Sequence, residues 1–361
     1  MARPKVVFLV NGSEAGAIGI RARSFAERLA DGSDIRIAYR SDSRVRAIGV
    51  FLRVLREVRP AVCYVFDMAY SGIVAATLYR AFHRCRVIVD TGDAVYQLAK
   101  SVGTRGRIGL ALTWLLEEAG LRLADELVVR SNFHAELVSA KGYRATVIPD
   151  GVDPEQFTPS IDAASLRRRF GLEGVLTIGV LGSVIWNQRW QMCYGWELVD
   201  VLRLLKDEPV KGVLVGDGDG IEHLRARCEE YGISDKLVFL GRVPYEELPA
   251  VLKVMDVCLS TQTDDIPGRV RTTGKLPLYL AAGRYVLATQ VGQAALVLPP
   301  EMLVPYRGTK DPEYPARLAE RIRRILREGG VDASSNHKIA REHFSYDLLA
   351  QRLRPLLTCP D

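Results

Sequence analysis

The sequence predicts an α/β protein made of two parallel-sheet halves. Three observations point there. Short apolar, β-branched runs alternate with amphipathic stretches along the whole chain, and that alternation breaks once, at a turn-rich segment near the middle. The length, 361 residues with 48% hydrophobic, also exceeds one ordinary domain and supplies core for two. Strands separated by helices of this length form parallel sheets covered on both faces.

The first half opens with a strand at 5–10 that ends in Asn11-Gly12, followed by Gly16, Gly19 and a helix over 21–30. Strands are expected at 35–39, 61–66, 87–90, 126–129 and 146–148, with helices at 44–58, 72–83 and 108–124. The run IPDGVDP at 148–154 gathers turn residues, so the first domain is taken as 1–160 and the second as 161–342. In the second, strands are expected at 176–181, 211–215, 237–240, 257–259 and 285–288. Helices are expected at 194–205, 221–230, 245–254, 274–282 and 315–328. Helical spacing returns at 345–357.

The formal charge is +6, and up to Ser160 there are 22 Lys and Arg against 17 Asp and Glu. This excess reads either as a solvated arginine-rich surface or as a face for anionic lipid headgroups or a phosphorylated acceptor. Its dispersal, without interleaved aromatics, argues against nucleic acid. Arg105 and Arg107 with Ile108, Leu110, Leu112, Trp114 and Leu115 form either a core helix or a basic-apolar docking surface. The apolar stretch at 108–116 falls far short of the roughly 20 residues of a membrane span. With no signal-peptide pattern at the start, the expected placement is cytoplasmic, at most peripheral at the inner face of a membrane.

Cys63, Cys85, Cys193, Cys228, Cys258 and Cys359 show no zinc or redox spacing and read as reduced core residues. His83, His134, His223, His337 and His343 show no ligand spacing, so no protein-built metal site is expected. There is no nucleophile elbow and no Walker A loop.

Five segments after strands can carry chemistry. The loop at 12–19 suits a diphosphate at a helix start, or is a structural tight turn; its spacing is not the dinucleotide fingerprint. At 269–283, RVRTTGKLPLYLAAG, Thr272 and Thr273 are natural N-caps, Gly274 permits close approach and Lys275 adds charge. A diphosphate is the obvious guest, and an ordinary capped helix the bland alternative. In GSVIWNQR at 182–189, Arg189 is either a leaving-group cation or solvated. In VGDGDG at 215–220, Asp217 or Asp219 caps the next helix or lies near a donor. Finally, Asp90 and Asp93 either orient an acceptor hydroxyl or satisfy loop amides.

In this order, the segments ELVVRSNFHAELVSAKGYRATVIPDGVD, LVGDGDGIEHLRARCEEYGISDKLVFLGRVPYEELPAVLKVMDVCLS and KLPLYLAAGRYVLAT, with the early glycine loop, resemble the family 4 glycosyltransferases of the GT-B fold. The resemblance covers nearly the whole chain. It implies two Rossmann-like domains facing a cleft, with the C-terminal helix, about 343–361, crossing back to complete the first. It also implies a retaining transferase that moves a hexose-type sugar from a UDP- or GDP-sugar to a glycan, lipid-linked or small-molecule acceptor in polysaccharide biosynthesis, without a cofactor or metal.

Position by position, the resemblance puts Gly16 and Gly19 near the donor phosphates and Arg189 where the family keeps a phosphate-contacting lysine. Arg242 falls in the base-contacting loop, and Thr273, Gly274 and Lys275 cradle the diphosphate. Arg189, Lys275 and Asp93 are the expected catalytic set. Gly16, Gly19, Ser183, Asp217, Arg242, Thr272, Thr273, Gly274 and Leu278 are the expected donor set. Two departures stand out. Ser183 replaces the family's arginine, and Val270 and Leu278 replace its acidic pair, the second of which normally holds the ribose. Asp264 and Asp265 lie close enough in sequence to substitute. The same departures motivate a second expectation, a non-catalytic GT-B partner subunit or glycan-binding module.

Overall fold

A computed structural model describes residues 3–40, 43–68 and 70–358. Cys359 lies outside them. The chain divides into two compact units: Met1–Gly151 with Arg269–Thr272 and Phe344–Asp361, and Val152–Gly268 with Thr273–His343. Residues 152–160, placed above in the first domain, thus group with the second.

The first unit is a six-stranded parallel sheet of order β2-β1-β3-β4-β5-β6. Its strands are β1 (Lys5–Val10), β2 (Asp34–Tyr39), β3 (Val62–Phe66), β4 (Arg86–Thr91), β5 (Glu126–Val129) and β6 (Ala145–Val147). The helices between them are α1 (Ala17–Leu29), α2 (Arg44–Val58), α3 (Tyr70–Arg80), α4 (Val95–Val102), α5 (Arg107–Leu123) and α6 (Asn132–Ser139). The central strands are buried on both faces, as continuous β-branched runs require. On one face Phe51, Leu55, Ile73 and Leu121 of α2, α3 and α5 pack on Val7, Leu9 and Val65. On the other, Phe25 of α1 meets Leu349 and Leu353 of the C-terminal helix over Phe8 and Tyr64.

The second unit is also a six-stranded parallel sheet, of order β12-β11-β10-β7-β8-β9. It comprises α7 (Ala164–Arg169), β7 (Leu176–Leu181), α8 (Trp196–Leu204), β8 (Val210–Val215), α9 (Ile221–Glu230), β9 (Leu237–Gly241), α10 (Leu248–Leu252) and β10 (Val257–Ser260). After these come α11 (Ile266–Arg269), α12 (Lys275–Ala281), β11 (Tyr285–Thr289), α13 (Ala294–Val297), β12 (Leu303–Val304), α14 (Tyr314–Arg327) and α15 (Asn336–Phe344). The chain ends in α16 (Tyr346–Leu353), part of the first unit.

Element boundaries shift where backbone chemistry dictates. Helix α1 begins four residues before the expected start, with Gly16 as N-cap. The helix expected at 194 begins at Trp196, because Gly195 takes a left-handed conformation (φ 96°). The stretch at 245–254 splits into a 3₁₀ turn and α10, whose first turn holds Pro249.

Candidate active site

In an open parallel sheet, ligands bind outside the carboxyl ends of the strands, where strand order reverses. In the first unit that point lies between β1 and β3. Asn11, just past β1, ties the two strand ends together. Its Nδ2 donates to the carbonyls of Phe66 (3.0 Å) and Asp67 (2.8 Å), and its Oδ1 accepts from the Gly72 amide. Asp67, just past β3, takes a positive φ of 61°, which aspartate tolerates better than most residues. Burial, then the charge of Asp93, pushes its carboxyl up to about 6, against the pull of Arg130.

Beneath these residues lies a buried ion network. Asp90 accepts from Arg21 Nε (3.0 Å), Arg130 Nε (3.0 Å) and the Tyr64 hydroxyl (2.9 Å). Arg21 also donates to the carbonyls of Pro149 and Ile148, and Arg130 pairs with Asp150. Burial alone would raise the Asp90 carboxyl, but the two guanidiniums and Tyr64 hold it below the usual range. Asp93 pairs with Arg271, while Thr272 Oγ1 donates to the Arg130 carbonyl and Ser131 Oγ to that of Val270. His134 is 2% exposed, its Nδ1 has no partner, and burial holds it down at about 4, hence neutral.

In the second unit the reversal falls between β7 and β10. Two segments expected to be functional meet there. The Lys275 ammonium lies 3.5 Å above the Tyr194 ring, and 3.3 Å from where a side chain on Gly182 would start. Tyr194 is anchored by its hydroxyl to the Leu259 carbonyl (3.0 Å). Ser260 and Thr273 face each other through their hydroxyls (3.5 Å). The loops after β7 and β8 zip together: Val184 N–H donates to the Asp217 carbonyl, Gly220 N–H to the Val184 carbonyl and Trp186 N–H to the Asp219 carboxylate (2.7 Å). Gly216 and Gly218 have φ of 141° and 152°, and their missing side chains would strike the backbone of Gly182 and Val184. Among the described residues, no group of three or more His, Cys, Asp or Glu is arranged to hold a metal ion.

Residues 176–328 match the family model described as glycosyl transferases group 1. The chain is 29% identical over 245 residues to a 2-deoxystreptamine glucosyltransferase of Streptomyces kanamyceticus, covering 64% of this chain and 58% of that one. It is 26% identical over 313 residues to a GDP-mannose-dependent alpha-mannosyltransferase of Mycobacterium tuberculosis, covering 84% and 76%. The match spans 58%, 43% and 41% of the first three curated relatives' lengths, about half on average. In fold it is similar to sucrose-phosphate synthase of Thermosynechococcus elongatus (TM-score 0.76, 18% identity, 98% of each chain). It is equally similar to Anabaena HepE in complex with UDP-glucose (TM-score 0.76, 17% identity, 98% and 99%). The fold is that of the GT-B glycosyltransferases, and residues 176–328 are similar in sequence to the group 1 family.

Several expectations for this GT-B protein need correction. Thr272 and Thr273 do not cap α12. The helix begins at Lys275, its N-cap is Gly274 without a side-chain cap bond, and Thr272 is buried with its hydroxyl spent on Arg130. With seven residues, α12 also brings little dipole, so Lys275 carries the positive charge there. Neither Asp217 nor Asp219 caps α9, whose N-cap is Gly220; they hold the two loops instead. Asp90 is fully buried and cannot meet an acceptor; it organises Arg21 and Arg130. Leu278 and Val270 are core residues, 9% and 0% exposed, and offer a donor no polar contact. Asp265 spends one carboxylate oxygen on Thr263 Oγ1 and the Gly268 amide, closing its own turn.

Other expected residues are simply placed. Gly19 sits where the Ser13 and Glu14 carbonyls leave no room for a side chain, so packing alone accounts for it, and Gly16 marks the start of α1. Ser183, Gly274, Arg242 and Arg189 are exposed. Arg242 follows the edge strand β9, and the Arg189 guanidinium lies 5.2 Å from the Trp190 ring centre. Asp67, Arg130, His134 and Tyr194 were missed. Asp67 and Arg130 each directly follow a strand, which was the available signal.

Proposed function

We propose that the chain transfers a hexose-type sugar, with retention, from a nucleoside-diphosphate sugar to a glycan, lipid-linked or small-molecule acceptor. The observation that carries this reading is the Lys275 ammonium, held by Tyr194 beside Gly182 at the strand reversal of the second unit. There it is a point charge for the diphosphate. Ser183, Thr273 and Gly274 line the diphosphate, with Asp217 near it and Arg242 toward the base. Arg189 adds a second cation. These charges do the work a metal would otherwise do, so the reading needs no resident metal or cofactor.

The acceptor belongs to the first unit, at the end of β4, with Asp93 placing its hydroxyl. In the transfer, the bond from the anomeric carbon to the diphosphate oxygen breaks and a bond to the acceptor oxygen forms on the same face. The acceptor proton passes to the departing diphosphate. Relatives named for glucosyl and mannosyl transfer support this class of donor. The proposed location is cytoplasmic, with the first unit peripheral at the inner face of a membrane.

The test is a thermal-shift screen with UDP, GDP, ADP, dTDP and their sugars, followed by turnover of each stabilising sugar nucleotide. A rise in Tm with one nucleotide class, and release of its diphosphate, is expected. Stabilisation without any release, or no shift with any of these nucleotides, overturns the transferase reading and returns the non-catalytic one.

A further inference from the structure

Among the described residues, eleven large hydrophobic side chains are exposed; eight of them lie on three helices of the first unit and a ninth just past the end of one. On α5 these are Ile108 (80% exposed), Leu112, Trp114 and Leu115; on α2, Val45 and Val50. Tyr70 and Leu78 of α3 join them, with Phe82 (84% exposed) just beyond its end. All three helices cover the same face of the sheet. The opposite face, under α1 and α16, exposes none.

Charge follows the same division. The first unit holds 26 Lys and Arg against 17 Asp and Glu, the second 23 against 26. On α2 the exposed Arg44, Arg46, Arg53 and Arg56 form no ion pair among the described residues. Arg105 and Arg107 flank the start of α5. An arginine-rich helix surface that also exposes apolar side chains gains from burying those chains in an acyl boundary beneath anionic headgroups. No described helix is long and apolar enough to cross a membrane, so contact here is lateral.

We infer that the α2–α3–α5 face of the first unit is a docking surface for an anionic lipid bilayer. This extends the peripheral placement proposed above from one helix to a whole layer, and it does not depend on sugar transfer. The full chain is floated with vesicles of phosphatidylcholine alone and of phosphatidylcholine mixed with phosphatidylglycerol, at low and high salt. Flotation with the anionic vesicles alone, weakened by salt, is expected. Two variants are expected to lower vesicle affinity at least about tenfold each, R44E/R46E/R53E and I108S/L112S/L115S, while L296S on the second unit leaves it unchanged.

Because these positions are exposed, unchanged Tm and unchanged turnover of a soluble donor separate failed docking from failed folding or a failed transferase reading. Equal flotation with neutral vesicles, no flotation, or full binding by either triple variant overturns the inference. So does a concentration-dependent dimer that the same variants dissolve, which would assign the face to a second copy.

Discussion

The strand ends of the two units solve different problems. In the first, charge is packed under the surface: Asp90 lies between Arg21 and Arg130, both themselves bonded to Asp150 or to backbone carbonyls. In the second, glycine loops and hydroxyls form the wall, and the Lys275 ammonium rests on the face of the Tyr194 ring. A charge already neutralised by a buried partner is committed to the fold. A charge set on an aromatic face at a strand reversal is placed to meet an incoming anion. Changes in the first place should therefore register in stability, and changes in the second in turnover.

The largest expected effect is that of Asp90→Asn. It leaves two buried guanidiniums without their shared counter-charge, a loss of about 3–5 kcal/mol. Urea unfolding measures it, and a loss below about 1 kcal/mol would remove the contrast. Next comes Lys275→Ala. It is expected to lower turnover about 10²–10³-fold, as loss of a preorganised charge does, with Tm unchanged. A large drop in Tm would show that this lysine, too, belongs to the fold.

Two pH profiles sharpen the picture within the first unit. The His134 imidazole titrates at about 4 when folded, below its ordinary 6.5. Between those values the unfolded chain binds the extra proton, so stability falls as pH drops from 6.5 to 4, by roughly 2 kcal/mol. His134→Gln should flatten that slope in denaturation curves collected across the window. The Asp67 carboxyl is shifted the other way, up to about 6. Here the folded chain holds the extra proton, and stability falls as pH rises from about 4 to 6, by roughly 2 kcal/mol. Asp67→Asn, which tolerates the same backbone angle, should cancel this opposing slope. An unchanged profile would mean that the carboxyl is better solvated than its setting implies.

The sequence alone determined the layers. Apolar β-branched runs alternating with helical periodicity specify strands and helices locally, and strands joined by helices can pair only in parallel, so two doubly covered sheets followed from pattern. It also located the glycine loops, because glycine after a strand announces itself in a linear text. Tertiary structure decided which polar groups remain available. Asp90 and Thr272 look as free as Asp93 and Thr273 when written out, yet Arg21 and Arg130 bury one and the Arg130 carbonyl takes the other. Those partners lie 40 to 142 positions away. Periodicity reports which face a residue occupies, whereas desolvation and pairing depend on neighbours that only the folded chain assembles.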